Sequence, residues 1–177
     1  MVRRVIVVFP MLALPAPIMA LRQRFDPLAE RVAPHLTLVF PFESTLSPTE
    51  LQAHVQHAVG GHAAFPLTLA DVTGSEGAYL FLNVKRGNDD LIALHDRLYT
   101  GCLRPYLAPT HTFVPHLTVG RLGNPRAFDE ALRVAGLAHV SSEAWALAVS
   151  VYRIEADGAR PVESETPLQT TINEGAT

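Results

Sequence analysis

Several stretches of the chain are either continuously apolar or alternate between apolar and polar residues, and each of these stretches predicts a strand. An apolar, β-branched run over residues 3–9 predicts a buried strand. Residues 145–152 alternate strictly, with Ser150 and Tyr152 on the polar face, and predict one half-buried strand. Further strands are predicted at residues 34–42, 65–72, 78–85 and 113–120, and a final one ends near Leu168.

Apolar residues spaced three and four positions apart predict four helices. The second has the clearest start, because Ser47 and Glu50 take the N-cap and N3 positions of a capping box with a proline between them. Asn88 is expected to cap the third helix, and Asn124 precedes the fourth. The predicted helices span residues 16–31, 48–59, 88–100 and 124–137.

The order of these elements repeats along the chain. Strand, helix, strand and helix occur twice, so that residues 3–9 and 34–42 correspond to residues 78–85 and 113–120. The repeat predicts an α+β fold in which two pseudo-symmetric lobes form one domain over residues 1–177. Each lobe would be an antiparallel sheet covered by helices on its outer face. The bare inner faces would then enclose an active-site cleft between the lobes.

One tetrapeptide motif, Pro-His-Leu-Thr, occurs in both halves, at residues 34–37 and 115–118. His-x-Thr alone arises often by chance, whereas the full tetrapeptide is expected fewer than about 0.01 times per chain. Positions i and i+2 of a strand share a face, so each copy presents an imidazole beside a hydroxyl. These pairs are His35 with Thr37 and His116 with Thr118.

The intervening positions of the first copy are apolar. Leu36, Leu38 and Phe40 would therefore pack against helices and keep the polar face of the strand turned outward. Leu117 and Val119 would do the same in the second copy. The two polar faces are expected to meet in one concave site.

Two imidazoles and two hydroxyls in one cleft suit chemistry on a phosphodiester. Opening the ester with water requires a base and an acid, and imidazole can be either near neutral pH. His35 and His116 are therefore predicted to be catalytic, with Thr37 and Thr118 binding the non-bridging phosphate oxygens. Which histidine is the base and which is the acid stays open, because the pair is almost symmetric.

Other side chains are candidates for contact with a substrate. Tyr79, Phe81 and Asn83 share one strand face and would either stack a nucleobase or pack inside the protein. Ser150 and Tyr152 are candidates for the cleft wall.

Two further candidates depend on the local path of the chain. Strand parity places Arg121 opposite His116, so Arg121 reaches a phosphate only if the chain bends at Gly120. His111 precedes the second motif and would either line the cleft or lie on an outer loop.

Composition and charge narrow the class of protein. A chain of 177 residues that is 48% hydrophobic and 18% charged is typical of a globular protein. The formal net charge of −3 argues against a broad nucleic-acid-binding surface. Cys102 is the only cysteine, which excludes an internal disulfide and favours a reducing cytoplasm.

The first twenty residues superficially imitate a signal peptide, because Arg3 and Arg4 precede an apolar run. Pro10, Pro15 and Pro17 interrupt that run and favour a strand of the mature protein instead. No uninterrupted apolar stretch approaches the roughly 18 residues of a membrane span, so no membrane association is expected.

The two His-x-Thr strands resemble those of the 2H phosphoesterase superfamily, which includes 2′-5′ RNA ligases and RNA 2′,3′-cyclic phosphodiesterases. The likeness extends from Phe9-Pro10 through the Phe-Val-Pro-His-Leu-Thr-Val-Gly-Arg segment at residues 113–121 to a closing hairpin at residues 150–168. It implies a bilobal α+β fold and chemistry on 2′,3′-cyclic phosphates or 2′-5′ phosphodiesters. It also implies a site without metal or other cofactor, with His35 and His116 catalytic.

The expected partner is a nucleotide or an RNA-terminal phosphate, bound by a monomer. A different class of function uses the same cleft, namely a non-catalytic module that binds a nucleotide or phosphorylated metabolite. A histidine-based metal hydrolase is a weaker alternative, because no carboxylate adjoins either motif histidine in the sequence.

Overall fold

The described residues of the computed structural model are 1–11, 15–75, 78–136 and 141–170, and they form eight strands and four α-helices. The strands are β1 (Val2–Val8), β2 (Leu36–Ser44), β3 (Phe65–Ser75), β4 (Tyr79–Arg86), β5 (His116–Arg121), β6 (Ser141–Ala146), β7 (Ala148–Arg153) and β8 (Val162–Pro167). The helices are α1 (Ala16–Phe25), α2 (Pro48–Val59), α3 (Asn88–Leu98) and α4 (Pro125–Gly136). A short 3₁₀ helix, Gly101–Tyr106, follows α3.

All eight strands join one antiparallel sheet in the order β6-β3-β4-β5-β2-β1-β7-β8. The order is pseudo-symmetric about the seam between β2 and β5, since β1 corresponds to β4, β7 to β3 and β8 to β6. Across this seam Leu36 pairs with Leu117. The predicted α+β fold with two pseudo-symmetric halves is confirmed, and the halves are continuous at the seam.

The helices cross from one half to the other. α1, which connects β1 to β2, packs against β5 and α4, and α3, which connects β4 to β5, packs against β2 and α2. Each central strand is therefore covered by a helix of the opposite half. The core between sheet and helices is apolar and closely packed, with its fully buried side chains including Ile6, Leu36, Leu82, Leu94 and Leu117.

The sheet is curled, so that its two ends approach each other. Ala63, just before β3, forms a parallel bridge with Gln169, just after β8. The Gln169 N–H donates to the His62 carbonyl at 2.9 Å, and the Ala64 N–H donates to the Gln169 carbonyl at 2.8 Å. These contacts join the outer strands of the two halves.

The prediction of one strand over residues 145–152 is wrong. The segment forms two strands, because the chain leaves β6 at Ala146 and enters β7 at Ala148. β6 pairs with β3 in one half and β7 pairs with β1 in the other. Burial alternates through β6 but not through β7, where residues 149–152 are all buried. The apolar and polar pattern of the sequence carries no information about which strand the backbone pairs with.

Helix boundaries agree with prediction where local capping sets them. In α2 the Ser47 N–H donates to Glu50 Oε2 at 2.8 Å, and the Glu50 N–H donates to Ser47 Oγ at 3.2 Å. This reciprocal pair confirms the capping box. Asn124 also caps α4, since its Oδ1 accepts from the Arg126 N–H at 2.9 Å. The predicted end of that helix at Leu137 lies outside the described residues.

Two other boundaries differ. α1 ends at Phe25 rather than at residue 31, because Pro27 disfavours helical backbone at the residue before it. α3 is capped by Gly87, whose φ of 90° is left-handed, and not by Asn88. The Asn88 side chain instead donates to the Val84 carbonyl at 2.9 Å.

A β-bulge interrupts each motif strand at the same position. Between β1 and β2 the register passes from Val7↔Thr37 to Ile6↔Val39, which leaves Leu38 as the extra residue. The residue after such a bulge faces the side opposite to the one that simple alternation predicts.

The second bulge repeats the first. Between β4 and β5 the register passes from Phe81↔Thr118 to Leu80↔Gly120, which leaves Val119 as the extra residue. Phe40 and Arg121, three positions after the motif threonines, are therefore turned to the face that carries those threonines.

Candidate active site

The two motifs meet at the seam of the sheet. Leu36 pairs with Leu117 in antiparallel register, so His35 lies across from Thr118 and Thr37 across from His116. Each half therefore supplies the histidine that faces the threonine of the other half.

A cavity of about 530 Å³ opens over this face of the sheet. Three of the four motif side chains, Thr37, His116 and Thr118, line it. His35 lies beside them, immediately before β2, and its ring centroid is 6.0 Å from that of Phe9. The structure thus brings all four predicted side chains together.

Both imidazoles are oriented by the same local hydrogen bond. His35 Nδ1–H donates to the Ala33 carbonyl at 2.9 Å, and His116 Nδ1–H donates to the Val114 carbonyl at 2.7 Å. A carbonyl only accepts, so the proton of each neutral ring resides on Nδ1. Nε2 of each ring is then the nitrogen available to accept a proton from a substrate or water.

Aromatic rings hold the two histidines in different ways. His116 lies flat on Phe81, with ring centroids 3.5 Å apart and planes inclined by 23°. His35 meets Tyr152 edge-on at 5.9 Å and 83°. These contacts restrict the rotation of each ring and leave the pair chemically inequivalent.

Burial lowers the pKa of both motif histidines below the usual value of about 6.5. In each case the backbone carbonyl bound to Nδ1 opposes the effect. The Arg22 guanidinium lowers the pKa of His35 further and the Asp26 carboxylate raises it. The charge of His35 lowers the pKa of His116, so protonation of one ring disfavours protonation of the other.

The aromatic candidates on β4 face the cavity. Tyr79, Phe81 and Asn83 all line it, and the Tyr79 and Phe81 ring centroids are 5.9 Å apart. The amide of Asn83 is already engaged, since it accepts from Thr73 Oγ1 at 3.1 Å and donates to the Asp71 carbonyl at 2.9 Å. Tyr79 and Phe81 therefore form an aromatic wall that is available for stacking.

The candidates on β7 are placed differently from each other. Tyr152 is buried, and its ring packs against the rings of His35 and Phe9, which restricts the movement of the histidine. Ser150 is only 1% exposed, and its hydroxyl donates to Glu165 at 3.3 Å. The structure does not bring Ser150 to the described cavity.

Arg121 lies beside the aromatic wall. Its guanidinium carbon is 5.5 Å from the centroid of the Tyr79 ring, the residue with which it pairs across β4 and β5. The bulge at Val119 changes the direction of the strand next to Gly120, which is the condition under which the sequence allowed Arg121 to reach a phosphate. A cation is thereby placed on the threonine side of β5.

Phe40 is the site residue that strand alternation missed. It was expected in the core, but it is 37% exposed and lines the cavity, because the bulge at Leu38 reverses its direction. His111 also lines the cavity, with its ring 6.3 Å from that of Phe40. Alignment of the two motif copies would have paired Phe40 with Arg121 and suggested a shared environment.

Within the described ranges, no group of three or more His, Cys, Asp or Glu side chains is arranged to hold a metal ion. His54, on α2, is half-buried, and its Nε2 lies 2.9 Å from the Leu98 carbonyl. Of the helices that the structure describes, none is both long and apolar enough to cross a membrane.

Comparison of the sequence with known proteins identifies a family and several relatives. Residues 10–158 match the family model described as the 2′-5′ RNA ligase superfamily. A Bacillus licheniformis protein named "Putative phosphoesterase" is 32% identical over 121 residues, which cover 66% of this chain and 69% of that protein. A Bacillus pumilus protein of the same name is 33% identical over 121 residues, covering 66% and 68%.

Solved structures share the fold. A Thermus thermophilus protein superposes with a TM-score of 0.62 at 17% identity and covers 96% of this chain and 99% of its own. LigT of Escherichia coli in its apo form superposes with a TM-score of 0.53 at 20% identity and covers 95% of each chain. Because the family model spans most of the sequence, including both motifs, the chain belongs to the 2′-5′ RNA ligase superfamily of 2H phosphoesterases.

Proposed function

We propose that the protein is a phosphodiesterase that acts on 2′,3′-cyclic phosphates or 2′-5′ phosphodiesters without a metal ion or other cofactor. His35 and His116 would exchange protons with the substrate, and Thr37 and Thr118 would bind the phosphate. The substrate would be a nucleotide or the terminal phosphate of an RNA. Membership of a phosphoesterase superfamily supports the general class of reaction.

The crosswise register of the two motifs is the observation that carries this proposal. Because Leu36 pairs with Leu117, each imidazole lies across from the hydroxyl of the opposite motif. A phosphate placed over the seam would thus have a proton-transfer group and a hydrogen-bond donor on both sides. A pair of structural histidines has no need of such an arrangement beside a cavity.

The reaction requires one of the two imidazoles to be neutral and the other to be protonated. Nε2 of the neutral ring would take a proton from water as its oxygen attacks phosphorus. The protonated ring would donate its Nε2 proton to the ribose oxygen that leaves, so that a cyclic phosphate becomes a monoester. The threonine hydroxyls would donate to the non-bridging oxygens, where negative charge is held during transfer. The same groups in reverse would serve ligation.

The cavity supports a nucleoside as the rest of the substrate. Its volume of about 530 Å³ falls within the range of roughly 300–1,000 Å³ found for small-ligand sites. Tyr79 and Phe81 offer ring faces on which a base would stack. Among the described residues that line the cavity, none is Asp, Glu, Lys or Arg. A neutral group attached to a single phosphate fits this lining.

The test is turnover of a panel of 2′,3′-cyclic nucleotides and 2′-5′-linked dinucleotides with a chelator present. We expect hydrolysis by the wild type that persists in the chelator and is lost in His116→Ala. Activity that a chelator abolishes and a divalent metal restores would contradict the proposed mechanism. Tight binding of these ligands without turnover would assign the cleft to a non-catalytic binding module.

A further inference from the structure

A buried histidine outside the proposed site contacts both motif segments. His95, on α3, is 6% exposed, and its Nδ1–H donates to the Leu38 carbonyl at 2.7 Å. Leu38 is the extra residue of the bulge in β2. The His95 ring also lies flat on Phe113, with centroids 3.9 Å apart and planes inclined by 6°. Phe113 is two residues before Pro115, the first residue of the second motif.

Tyr99, one turn further along, contacts the same bulge. Its hydroxyl accepts from the Phe40 N–H at 3.1 Å, and its ring centroid is 4.8 Å from that of His95. The two side chains therefore hold the Leu38 carbonyl and the Phe40 amide, one on each side of Val39. Both groups belong to the irregular part of the strand, where a buried backbone group needs a partner from elsewhere.

The matching bulge in β5 is held in place by apolar packing and not by polar side chains. A Cβ added to Gly120 would lie 3.1 Å from Phe25 Cβ on α1 and 3.1 Å from Leu80 Cδ1. Close packing against a glycine thus fixes that bulge. Since α1 and α3 correspond in the pseudo-symmetric fold, the polar contacts of His95 and Tyr99 are specific to the half that carries Thr37.

We propose that His95 is a positioning residue that fixes the bulge of β2 relative to the second motif. Through the Leu38 carbonyl it would set the place of Thr37, and through Phe113 it would relate that threonine to His116. The inference rests on the proposed phosphodiesterase function. A displacement of about 1 Å at a reacting group can cost roughly a hundredfold in rate, so loss of the His95 contacts is expected to slow the reaction.

Three substitutions separate the contacts. His95→Asn keeps a donor near the position of Nδ1 and removes the ring, whereas His95→Phe keeps a ring for Phe113 and removes the donor. Tyr99→Phe removes only the acceptor for the Phe40 amide and is the mildest change. The matched control is His54→Phe, because His54 also contacts a backbone carbonyl, that of Leu98, at 2.9 Å. In the described part of the chain, His54 makes no hydrogen bond to either motif.

We expect His95→Phe to lower kcat/KM for a 2′,3′-cyclic nucleotide by about tenfold to a hundredfold, mainly through kcat, because Thr37 acts on the developing charge. His95→Asn should recover much of this loss, and His54→Phe should retain the wild-type value. Adding Thr37→Ala to His95→Phe should cost little beyond Thr37→Ala alone, since the two changes affect one contact to the phosphate.

Hydrogen exchange at the Phe40 amide tests, independently of activity, whether His95 and Tyr99 hold the bulge of β2 in place. Exchange should be faster in His95→Phe and in Tyr99→Phe and unchanged in His54→Phe. Wild-type kinetics in folded His95→Phe would overturn the inference, as would unchanged exchange in both variants or fully additive effects with Thr37→Ala. A wild-type protein without turnover would instead contradict the proposed function, and the exchange rates would still decide whether His95 fixes the bulge.

Discussion

Phe81 lies flat against His116, with ring centroids 3.5 Å apart. The same ring lines the cavity, so Phe81 is in contact with both a proposed catalytic group and the space where a substrate would bind. His35 has no such stacked partner in the described structure, since Phe9 and Tyr152 meet it edge-on. The two proton-transfer groups are therefore expected to respond differently to changes in their surroundings.

Phe81→Leu should lower kcat as well as raise KM, because the His116 ring loses the surface that restricts its rotation. We expect a loss of about tenfold to a hundredfold in kcat/KM for a cyclic nucleotide. Tyr79→Leu is the matched comparison, since Tyr79 lines the same wall but its ring contacts Phe81 and Arg121, whereas Phe81 is the ring stacked on His116. Its effect should fall mainly on KM, and an equal fall in kcat for both variants would contradict the separate roles.

Replacing either motif histidine with alanine should remove most of the turnover, at least about a hundredfold, as expected for loss of general acid or base catalysis. The double variant His35→Ala/His116→Ala should be little worse than either single variant, because the two groups act as a unit. Steady-state kinetics on a 2′,3′-cyclic nucleotide measure this. Near-normal turnover by His35→Ala would refute the two-histidine mechanism.

Thr37→Ala and Thr118→Ala should each cost less than the histidine variants. Loss of one hydrogen-bond donor to the phosphate oxygens is expected to reduce kcat by roughly tenfold to a thousandfold. Serine at either position should restore part of the rate, since it returns the hydroxyl without the methyl group. No difference between alanine and serine variants would indicate that the hydroxyl has no role.

The pH dependence of kcat/KM should be bell-shaped with its optimum below about 6.5. The base must be neutral, so activity rises as pH increases through its pKa, and the acid must be protonated, so activity falls through the other pKa. Burial lowers both pKa values, which moves both limbs towards acid. An optimum well above neutral pH in the free enzyme would contradict this placement.

Gly120→Ala should destabilise the fold, because the new Cβ would lie 3.1 Å from both Phe25 Cβ and Leu80 Cδ1. Overpacking of this kind costs about 1–3 kcal/mol in the free energy of unfolding. Gly123→Ala is the control, since no described heavy atom beyond Gly123 and its two chain neighbours lies within 4 Å of the position its Cβ would take. Equal stability of the two variants in urea denaturation would show that α1 can move away from β5.

Local sequence rules predicted those parts of the structure that depend on neighbouring residues. The Ser47–Glu50 capping box and the pairing of imidazole and hydroxyl within each motif are of this kind. The direction of Phe40 was missed because a bulge depends on the partner strand and on the helix that holds it. Leu147 likewise gives no local sign that the chain passes there from one half of the sheet to the other.

The two halves of the sheet differ in how the chain builds them. The half that contains β3, β4, β5 and β6 is one continuous stretch, residues 65–146, whereas the other combines β1 and β2 with β7 and β8 from the opposite end of the chain. During synthesis the continuous half is complete before Ser150 is available to pair with Val7. Until then β1 has an unpaired edge, and His35 lacks the support of Tyr152. The first motif is thus translated early but reaches its final surroundings last.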